Sequence, residues 1–477
     1  MPLDTTLIIA ITLVAMFILL ALETPVAFAL GLSGALGLVL LESFGYATNV
    51  LGSVPFTASS SFSLTMIPMF ILMGTLAVKA RIAEHVFAIA NRTFSRLPGG
   101  LGAATVMACA GFAAVSGSSV ATAATMSKMA VGEMRKYGYP AHFAAGIVAV
   151  AGTLGVMIPP SVLLVLYAVL ASESPAKVLA AGIIPGILSA IAYITYIMIV
   201  SRRMIVPERE TLESVTAAAS LPHRKDTISA DVNISVSTNG RQTIGGLGVP
   251  AAPTWLRLPW RGLVRILILF GIVMGGLYTG FVTPTESAAI GAIAALVILV
   301  IELRKDGFAG IRRATADALK ESAQTTSMVF AIIVGSGVLS TFFVASRVPQ
   351  LLTEWISSLD VPGEVIVIIM LVLLVPLGMA LESISILVVT VPLMHPIITE
   401  LGFDGIWWAI LVVKMIEIGL VTPPVGVGCF VVSATSGVPS HQVFKGVLPF
   451  VLVELLVVVI LFLFPDLVLF LPSLIQF

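Results

Sequence analysis

Long apolar stretches, separated by short polar or glycine-rich turns, make up most of the chain. A helix needs about 20 apolar residues to cross a bilayer. The first half supplies such stretches near residues 5–22, 25–41, 65–80, 141–171 and 178–200. Residues 103–130 are also apolar, but SGSS at 116–119 divides them into two pieces that are each too short to cross. The pattern predicts five membrane helices and one re-entrant hairpin in this half.

Composition supports a membrane protein. Of 477 residues, 58% are hydrophobic and 10% are charged, and the mean hydropathy is +1.10. Soluble domains do not tolerate this balance, so we expect an all-α polytopic membrane protein. Residues 1–22 lack a basic leader and a small-residue cleavage site, and are expected to form a first membrane helix. Cys109 and Cys429 have no metal or disulfide spacing and are expected to be packing residues.

Two sequence motifs occur twice. SGSSVATAAT (116–125) and GTLGVMIPPS (152–161) return in altered form as GMALESIS (378–385) and GLVTPPVG (419–426). Pro423 minus Pro159 is 264, and the same spacing relates the other glycines and prolines around these motifs. The chain is therefore predicted to be a duplicated unit. Its expected divisions are a first repeat at 1–203, a linker at 204–259 and a second repeat at 260–477.

An odd number of crossings per repeat requires the second repeat to enter the membrane from the opposite face. We therefore expect two inverted-topology repeats. The basic residues agree, because an external N-terminus places nearly all loop Lys and Arg inside, with only Lys177 and Arg347 outside. Both termini are then external and the polar linker is cytoplasmic and flexible; a small folded subdomain or a partner-docking segment is the alternative. Residues 81–95 and 347–359 are expected to form interfacial helices.

The glycine, serine and proline breaks predict a buried polar site. Backbone that is not helical at membrane depth must be satisfied by protein or by a water-filled cavity, and inverted repeats with broken helices are typical of secondary transporters. Serine, threonine and carbonyl oxygens suit a hard cation, although helix packing is the simpler role for any single serine. The first predicted cation site comprises Ser116, Ser118, Ser119, Thr122, Gly155, Pro159 and Ser161. The second comprises Ser383, Ser385, Gly419, Thr422 and Pro423.

Three charges in the second half have no charged counterpart in the first: Glu382, Lys414 and Glu417 align with Ser118, Val150 and Thr153. A charge at the bilayer centre costs at least about 2.5–3.5 kcal/mol, so each needs a reason. Lys414 and Glu417 could neutralise each other as an i,i+3 pair. Alternatively, Lys414 attracts an anionic solute while Glu382 or Glu417 helps to couple a cation.

These motifs, together with GYPAHFAAG (138–146), AGIIPGIL (181–188) and KMIEIGLVTPPVG (414–426), resemble the large membrane subunit of TRAP transporters, the tripartite ATP-independent periplasmic carriers of organic acids. The resemblance covers nearly all of the chain outside the linker. It implies an elevator-type mover in the bacterial inner membrane, driven by sodium ions and importing an organic anion. It also implies a separate small four-helix membrane subunit and a periplasmic solute-binding protein, with periplasmic termini for this chain.

Other classes fit less well. A stand-alone ion-coupled carboxylate carrier or exchanger of the same fold is the nearest alternative, and it would need no binding protein. An intramembrane enzyme is disfavoured because the sequence has no paired intramembrane aspartates, no HExxH and no GxSxG with a membrane histidine. No GxxxxGK[ST] motif is present, so we expect an ion gradient rather than ATP to drive transport, with no cofactor beyond sodium.

Overall fold

Helices form all of the regular structure in the part of the chain that the computed structural model describes, namely residues 4–94, 97, 99–204, 260–358 and 361–475. Within these residues, five helices are long and apolar enough to cross a bilayer, and a bent pair adds a sixth crossing if it counts as one span. Shorter apolar helices accompany them. The prediction of an all-α polytopic membrane protein is confirmed. Residues 1–3 and, apart from Met204, the predicted linker at 204–259 lie outside the described residues.

The first half contains eleven α-helices within the described residues. They are α1 (Thr5–Ala21), α2 (Val26–Leu41), α3 (Phe44–Ser59), α4 (Met66–Lys79), α5 (Ile82–Phe94), α6 (Gly100–Ser116), α7 (Ser119–Met126), α8 (Gly132–Lys136), α9 (Ala141–Met157), α10 (Val162–Leu170) and α11 (Pro175–Met204). A 3-10 turn (Phe62–Thr65) leads into α4, and a π turn (Ser127–Val131) joins α7 to α8.

The second half repeats much of this order. Its helices are α12 (Trp260–Phe270), α13 (Gly276–Tyr278), α14 (Pro284–Glu302), α15 (Gly307–Ala345), α16 (Val348–Ser358), α17 (Gly363–Ala380), α18 (Ser383–Glu400), α19 (Gly405–Val421), α20 (Val427–Ser436), α21 (Ser440–Leu463) and α22 (Asp466–Ser473). A π turn (Gly271–Gly275) joins α12 to α13, and a 3-10 turn (Leu303–Asp306) precedes α15.

The 264-residue spacing found in the sequence also relates the helix boundaries. Adding 264 to the bounds of α9, 141 and 157, gives 405 and 421, which are the bounds of α19. The same addition carries the first residue of α7, Ser119, onto the first residue of α18, Ser383. Gly138 and Gly402, also 264 apart, both have left-handed backbone, with φ of 80° and 84°. The two halves therefore share one order of elements here, while their opposite orientation in the membrane stays a prediction.

The helices pack in two groups, each containing elements of both halves. In the first group, α2 and α4 pack extensively against α15, and α4 also packs against α14. In the second, α9 packs against α6, α7 and α21, while α17 packs against α19. The breaks in both halves belong to the second group, so the irregular backbone is concentrated in one part of the molecule.

Within the second group, the two halves meet through glycines. A Cβ placed on Gly146 of α9 would lie 2.5 Å from backbone atoms of Gly446 of α21. Such a distance is far inside van der Waals contact, so no side chain fits between these helices. Helices of the two halves therefore touch backbone to backbone.

The predicted boundaries differ from the structure in one respect. Helix α3 lies between the predicted second and third membrane segments, where no helix was expected. Its threonines and serines lower the hydropathy, and it is capped by Ser43, whose hydroxyl accepts a hydrogen bond from the Tyr46 amide at 3.2 Å. Helices α5 and α16 occur where interfacial helices were predicted, and α5 buries one face, including Ile82, Val86 and Ile89.

Candidate functional site

The sequence SGSS (116–119) forms the turn between α6 and α7 at the tip of the first hairpin. Gly117 ends α6 with left-handed backbone (φ 62°), and a Cβ there would lie 2.7 Å from the Pro160 carbonyl oxygen. Glycine is therefore required both for the turn and for the close approach. Ser118 caps α7 by accepting a hydrogen bond from the Ala121 amide at 3.4 Å. The hairpin tip thus contacts the Pro-Pro break that follows α9.

Ser116 and Thr122 close the first hairpin across its tip. Their hydroxyl oxygens are 2.8 Å apart and share a hydrogen bond, and the Thr122 hydroxyl lies 2.8 Å from the Ser118 carbonyl oxygen, to which it can donate. A Cβ on Gly155 of α9 would lie 2.6 Å from that same carbonyl. The structure therefore brings together three of the predicted first-site residues, Ser116, Ser118 and Thr122, with Gly155. The cation site predicted at these residues stays a prediction.

Glu417 connects the two hairpins. Its side chain is buried, and its Oε1 accepts hydrogen bonds from Ser119 at 3.5 Å and Ser383 at 3.0 Å. Ser119 and Ser383 are equivalent positions of the two halves. The predicted first and second sites thus meet at one carboxylate, which the sequence pattern did not show.

A cavity of about 440 Å³ opens beside both tips. The first tip lines it with residues 116–121 and the second with residues 382–384. The opposite wall comes from the other packing group, including Thr75 of α4 and Thr325 of α15. Two carboxylates, Glu321 and Glu382, also line it. The cavity therefore lies between the group of broken helices and the group formed by α4 and α15.

Lys414 has a different partner from the expected one. Its ammonium is ion-paired with Glu454 Oε1 of α21 and donates a hydrogen bond to Ser189 of α11 at 2.5 Å. Ser189 in turn donates to Glu454 at 3.0 Å. The i,i+3 ion pair with Glu417 is not formed, and Lys414 does not line the 440 Å³ cavity. The geometry therefore does not show the predicted i,i+3 pair among the described residues, while the attraction of an anionic solute by Lys414 stays a prediction.

Glu454 and Ser189 are functional candidates that sequence reasoning missed. A carboxylate inside the apolar stretch of α21 was a visible signal, because intramembrane charges have partners or functions. Lys414, Glu417 and Glu454 are the three buried charged side chains among the residues the structure describes. They lie around a second void, of about 10 Å³, which also touches Thr153 and Tyr193.

The remaining predicted residues are in or beside the breaks. Ser161 caps α10 by accepting from the Leu164 amide at 3.2 Å, and Thr422 donates to the Ile418 carbonyl at 2.5 Å. Ser385 is buried with no hydrogen-bond partner for its hydroxyl in the described part of the chain. Pro159 and Pro423 each form a cis peptide bond with the following proline. Glu382 precedes α18 without capping it through its side chain.

No group of three or more His, Cys, Asp or Glu side chains positioned to bind a metal occurs among the described residues. The available ligands are hydroxyl, carbonyl and single carboxylate oxygens. Such oxygen ligands suit hard, weakly bound cations rather than transition metals.

Comparison with known proteins identifies related membrane transport proteins. A family model described as the DctM component of tripartite ATP-independent periplasmic transporters matches residues 13–467. The C4-dicarboxylate TRAP transporter large permease protein DctM of Pseudomonas aeruginosa is 31% identical over 93% of this chain and 94% of its own length. The sialic acid TRAP transporter large permease protein SiaM of Vibrio cholerae is 28% identical over 94% of this chain and 95% of its own.

A solved structure has the same overall fold. The Alcanivorax borkumensis YdaH transporter superposes with a TM-score of 0.59 at 14% identity, covering 97% of this chain and 98% of that one. This likeness concerns the fold alone. The sequence relatives are transport proteins rather than enzymes, as expected. With a family model spanning nearly the whole chain, the protein belongs to the DctM family, the large permease component of tripartite ATP-independent periplasmic transporters.

Proposed function

We propose that this permease imports an organic carboxylate across the bacterial inner membrane, driven by a sodium gradient and using an elevator movement. The observation that carries the proposal is the position of the 440 Å³ cavity, which is bounded by both hairpin tips on one side and by α4 and α15 on the other. A solute held there contacts the group of broken helices and the group that packs around α15. Movement of one group past the other would carry the solute across the membrane.

The charges at this cavity support the proposed sodium coupling. Glu382 and Glu321 line it, and although Glu321 is ion-paired with Lys79 at 3.1 Å, no Lys or Arg is among its described lining residues. A carboxylate solute is therefore repelled until cations bind nearby. Cations held by the tip hydroxyls and carbonyls would offset this repulsion, and the N-termini of α7 and α18 would then favour the anion. Ion and solute binding are coupled because each favours the other.

Glu417 links the two tips in this scheme. Because its Oε1 accepts from Ser119 and Ser383, ordering of one tip affects the hydrogen bonding available to the other. Hydrogen bonds to a charged group contribute about 1.5–3 kcal/mol each. We infer that Ser383→Ala raises the sodium concentration needed for half-maximal uptake. Ser33→Ala is the matched control, since Ser33 is equally buried but bonds to Leu30 of its own helix.

The partners follow from the family's tripartite organisation. We infer a small four-helix membrane subunit and a periplasmic solute-binding protein that delivers the organic anion. The inferred topology places both termini in the periplasm and the segment between the halves in the cytoplasm. The relatives' names include C4-dicarboxylates, sialic acid and isethionate, which is a sulfonate, so an organic anion is the shared feature of their solutes.

Uptake into proteoliposomes tests the proposal. The vesicles contain this chain and its small partner, and a labelled carboxylate panel is offered with the binding protein and an inward sodium gradient each present or absent. Uptake that requires both supports the proposal. Uptake that needs sodium but no binding protein instead supports a stand-alone carrier, and uptake indifferent to sodium refutes the coupling.

A further inference from the structure

The buried charges around Lys414 are not balanced. Lys414, Glu417 and Glu454 are each at most 6% exposed, and they come together at the 10 Å³ void between α9, α11, α19 and α21. One ammonium faces two carboxylates, so the cluster is short of one positive charge when all three groups are ionised. Uncompensated charge in the interior costs several kcal/mol. The cluster therefore needs either a compensating cation or a proton on one carboxylate.

Two oxygens of this cluster have no partner. Oε1 of Glu417 bonds to the hairpin serines and Oε1 of Glu454 bonds to Lys414, but Oε2 of each carboxylate is buried without a hydrogen bond among the described residues. Both side chains line the void. Buried polar atoms are nearly always satisfied, by protein, water or an ion. The unpartnered oxygens therefore indicate that something occupies the void.

The void has further oxygens on its walls. Thr153 lies on α9 at the position equivalent to Glu417, and Tyr193 lies on α11 with its hydroxyl beside Glu454 and Thr153. Its volume admits about one water-sized species. A proton would satisfy one carboxylate and leave the other oxygen and the space unused. A water molecule would fill the space and supply no charge. A monovalent cation would supply the missing charge, bind both unpartnered oxygens and fill the space. The small volume favours Na⁺ over K⁺.

We propose that the void binds one sodium ion through Glu417 Oε2, Glu454 Oε2 and the hydroxyls of Thr153 and Tyr193. This site is separate from the hairpin tips, although Glu417 belongs to both, since its other oxygen bonds Ser119 and Ser383. A bound ion would hold Glu417 in place for the tips. The site also joins the two halves, because Thr153 and Tyr193 come from the first and the carboxylates from the second.

Sodium binding to the purified protein tests the proposal without relying on transport. The full chain in detergent is compared with Thr153→Val, Tyr193→Phe and the double variant, which remove two oxygens and leave every charge and every tip residue unchanged. Thr12→Val is the control, because Thr12 is buried but bonds only to Ile8 of its own helix. The readouts are ²²Na⁺ stoichiometry and the rise of Tm in NaCl over KCl at equal ionic strength and fixed pH.

We expect the double variant to bind one sodium ion fewer, or to need at least about tenfold more sodium for half-saturation. A tenfold loss is the lower end of the effect of removing a residue that supports a metal site. The control should match the unaltered protein. Unchanged sodium stoichiometry and affinity in the double variant would overturn the proposal. A Tm of the unaltered protein that changes with pH but is the same in NaCl and KCl would also overturn it. The two proposals can fail separately. If the double variant binds one sodium ion fewer but uptake by the unaltered protein does not depend on sodium, this site is supported and the proposed coupling is rejected.

Discussion

Replacing Lys414 by methionine separates the two roles that a buried lysine can have in this protein. The structure places the ammonium against Glu454, with side-chain exposures of 5% and 7%, and away from the solute cavity. Lys414→Met leaves two buried carboxylates with no ammonium. Breaking a buried ion pair by removing one partner costs about 3–5 kcal/mol. Replacing both partners, as in Lys414→Met with Glu454→Gln, restores the original net charge and should recover most of this loss.

The expected size of the effect can be converted to a melting temperature. With an unfolding entropy of about 2 cal/mol/K per residue, a loss of about 3–5 kcal/mol lowers the Tm of a chain of 477 residues by about 3–5 °C. The control is Lys136→Met, because Lys136 forms a similar ion pair with Glu133 at 3.1 Å but is 74% exposed. Exposed pairs contribute about 0–1 kcal/mol, so its Tm should scarcely change.

Thermal unfolding in detergent and uptake at saturating sodium are measured together on the single variant, the double variant and the control. We expect the single variant to lose both stability and uptake, and the double variant to regain its stability, while its uptake also depends on Glu454 as a ligand of the proposed sodium site. If Lys414→Met keeps its stability yet transports nothing, Lys414 acts on the solute and the pairing argument is wrong. Equal destabilisation by the single and double changes would refute the calculated penalty.

Two further predictions concern a close contact and a titrating group. Gly155→Ala should separate α9 from the first tip and abolish uptake, whereas Gly132→Ala, which meets nothing within 4 Å, should leave uptake unchanged; equal uptake by the two variants would contradict the contact. Burial and the neighbouring Asp404 raise the pKa of Glu173, in the loop before α11, against a smaller lowering by Lys177. Its contribution to stability is therefore present at low pH and lost as pH rises through that raised pKa, so Glu173→Gln should flatten the decline of Tm with pH, as differential scanning fluorimetry would show.

The breaks in the helices were the part of the site that the sequence predicted best. SGSS and the two Pro-Pro pairs interrupt apolar stretches, and the structure turns at each of them because glycine and proline act locally on the backbone. The spacing of 264 residues also predicted which helix ends correspond. Periodicity and local chemistry are readable along the chain, so these features could be found without the structure.

The partners of the charges could not be predicted in the same way. Ser119 and Glu417 are 298 residues apart, and Lys414 and Glu454 are 40 apart. Their contacts depend on how α7, α19 and α21 pack, which local patterns do not specify. The i,i+3 spacing of Lys414 and Glu417 indicated a pair because neighbours on one helix were the only geometry available from sequence. In the folded protein, Lys414 is instead paired with Glu454, a carboxylate from another helix.

The contact between Gly146 and Gly446 has a consequence for how the two halves can evolve. Here each half supplies a bare stretch of backbone that the other half covers, so a larger residue at either glycine would clash with the opposite half. Substitutions at this contact are therefore constrained by both halves of the molecule, which can change there only together.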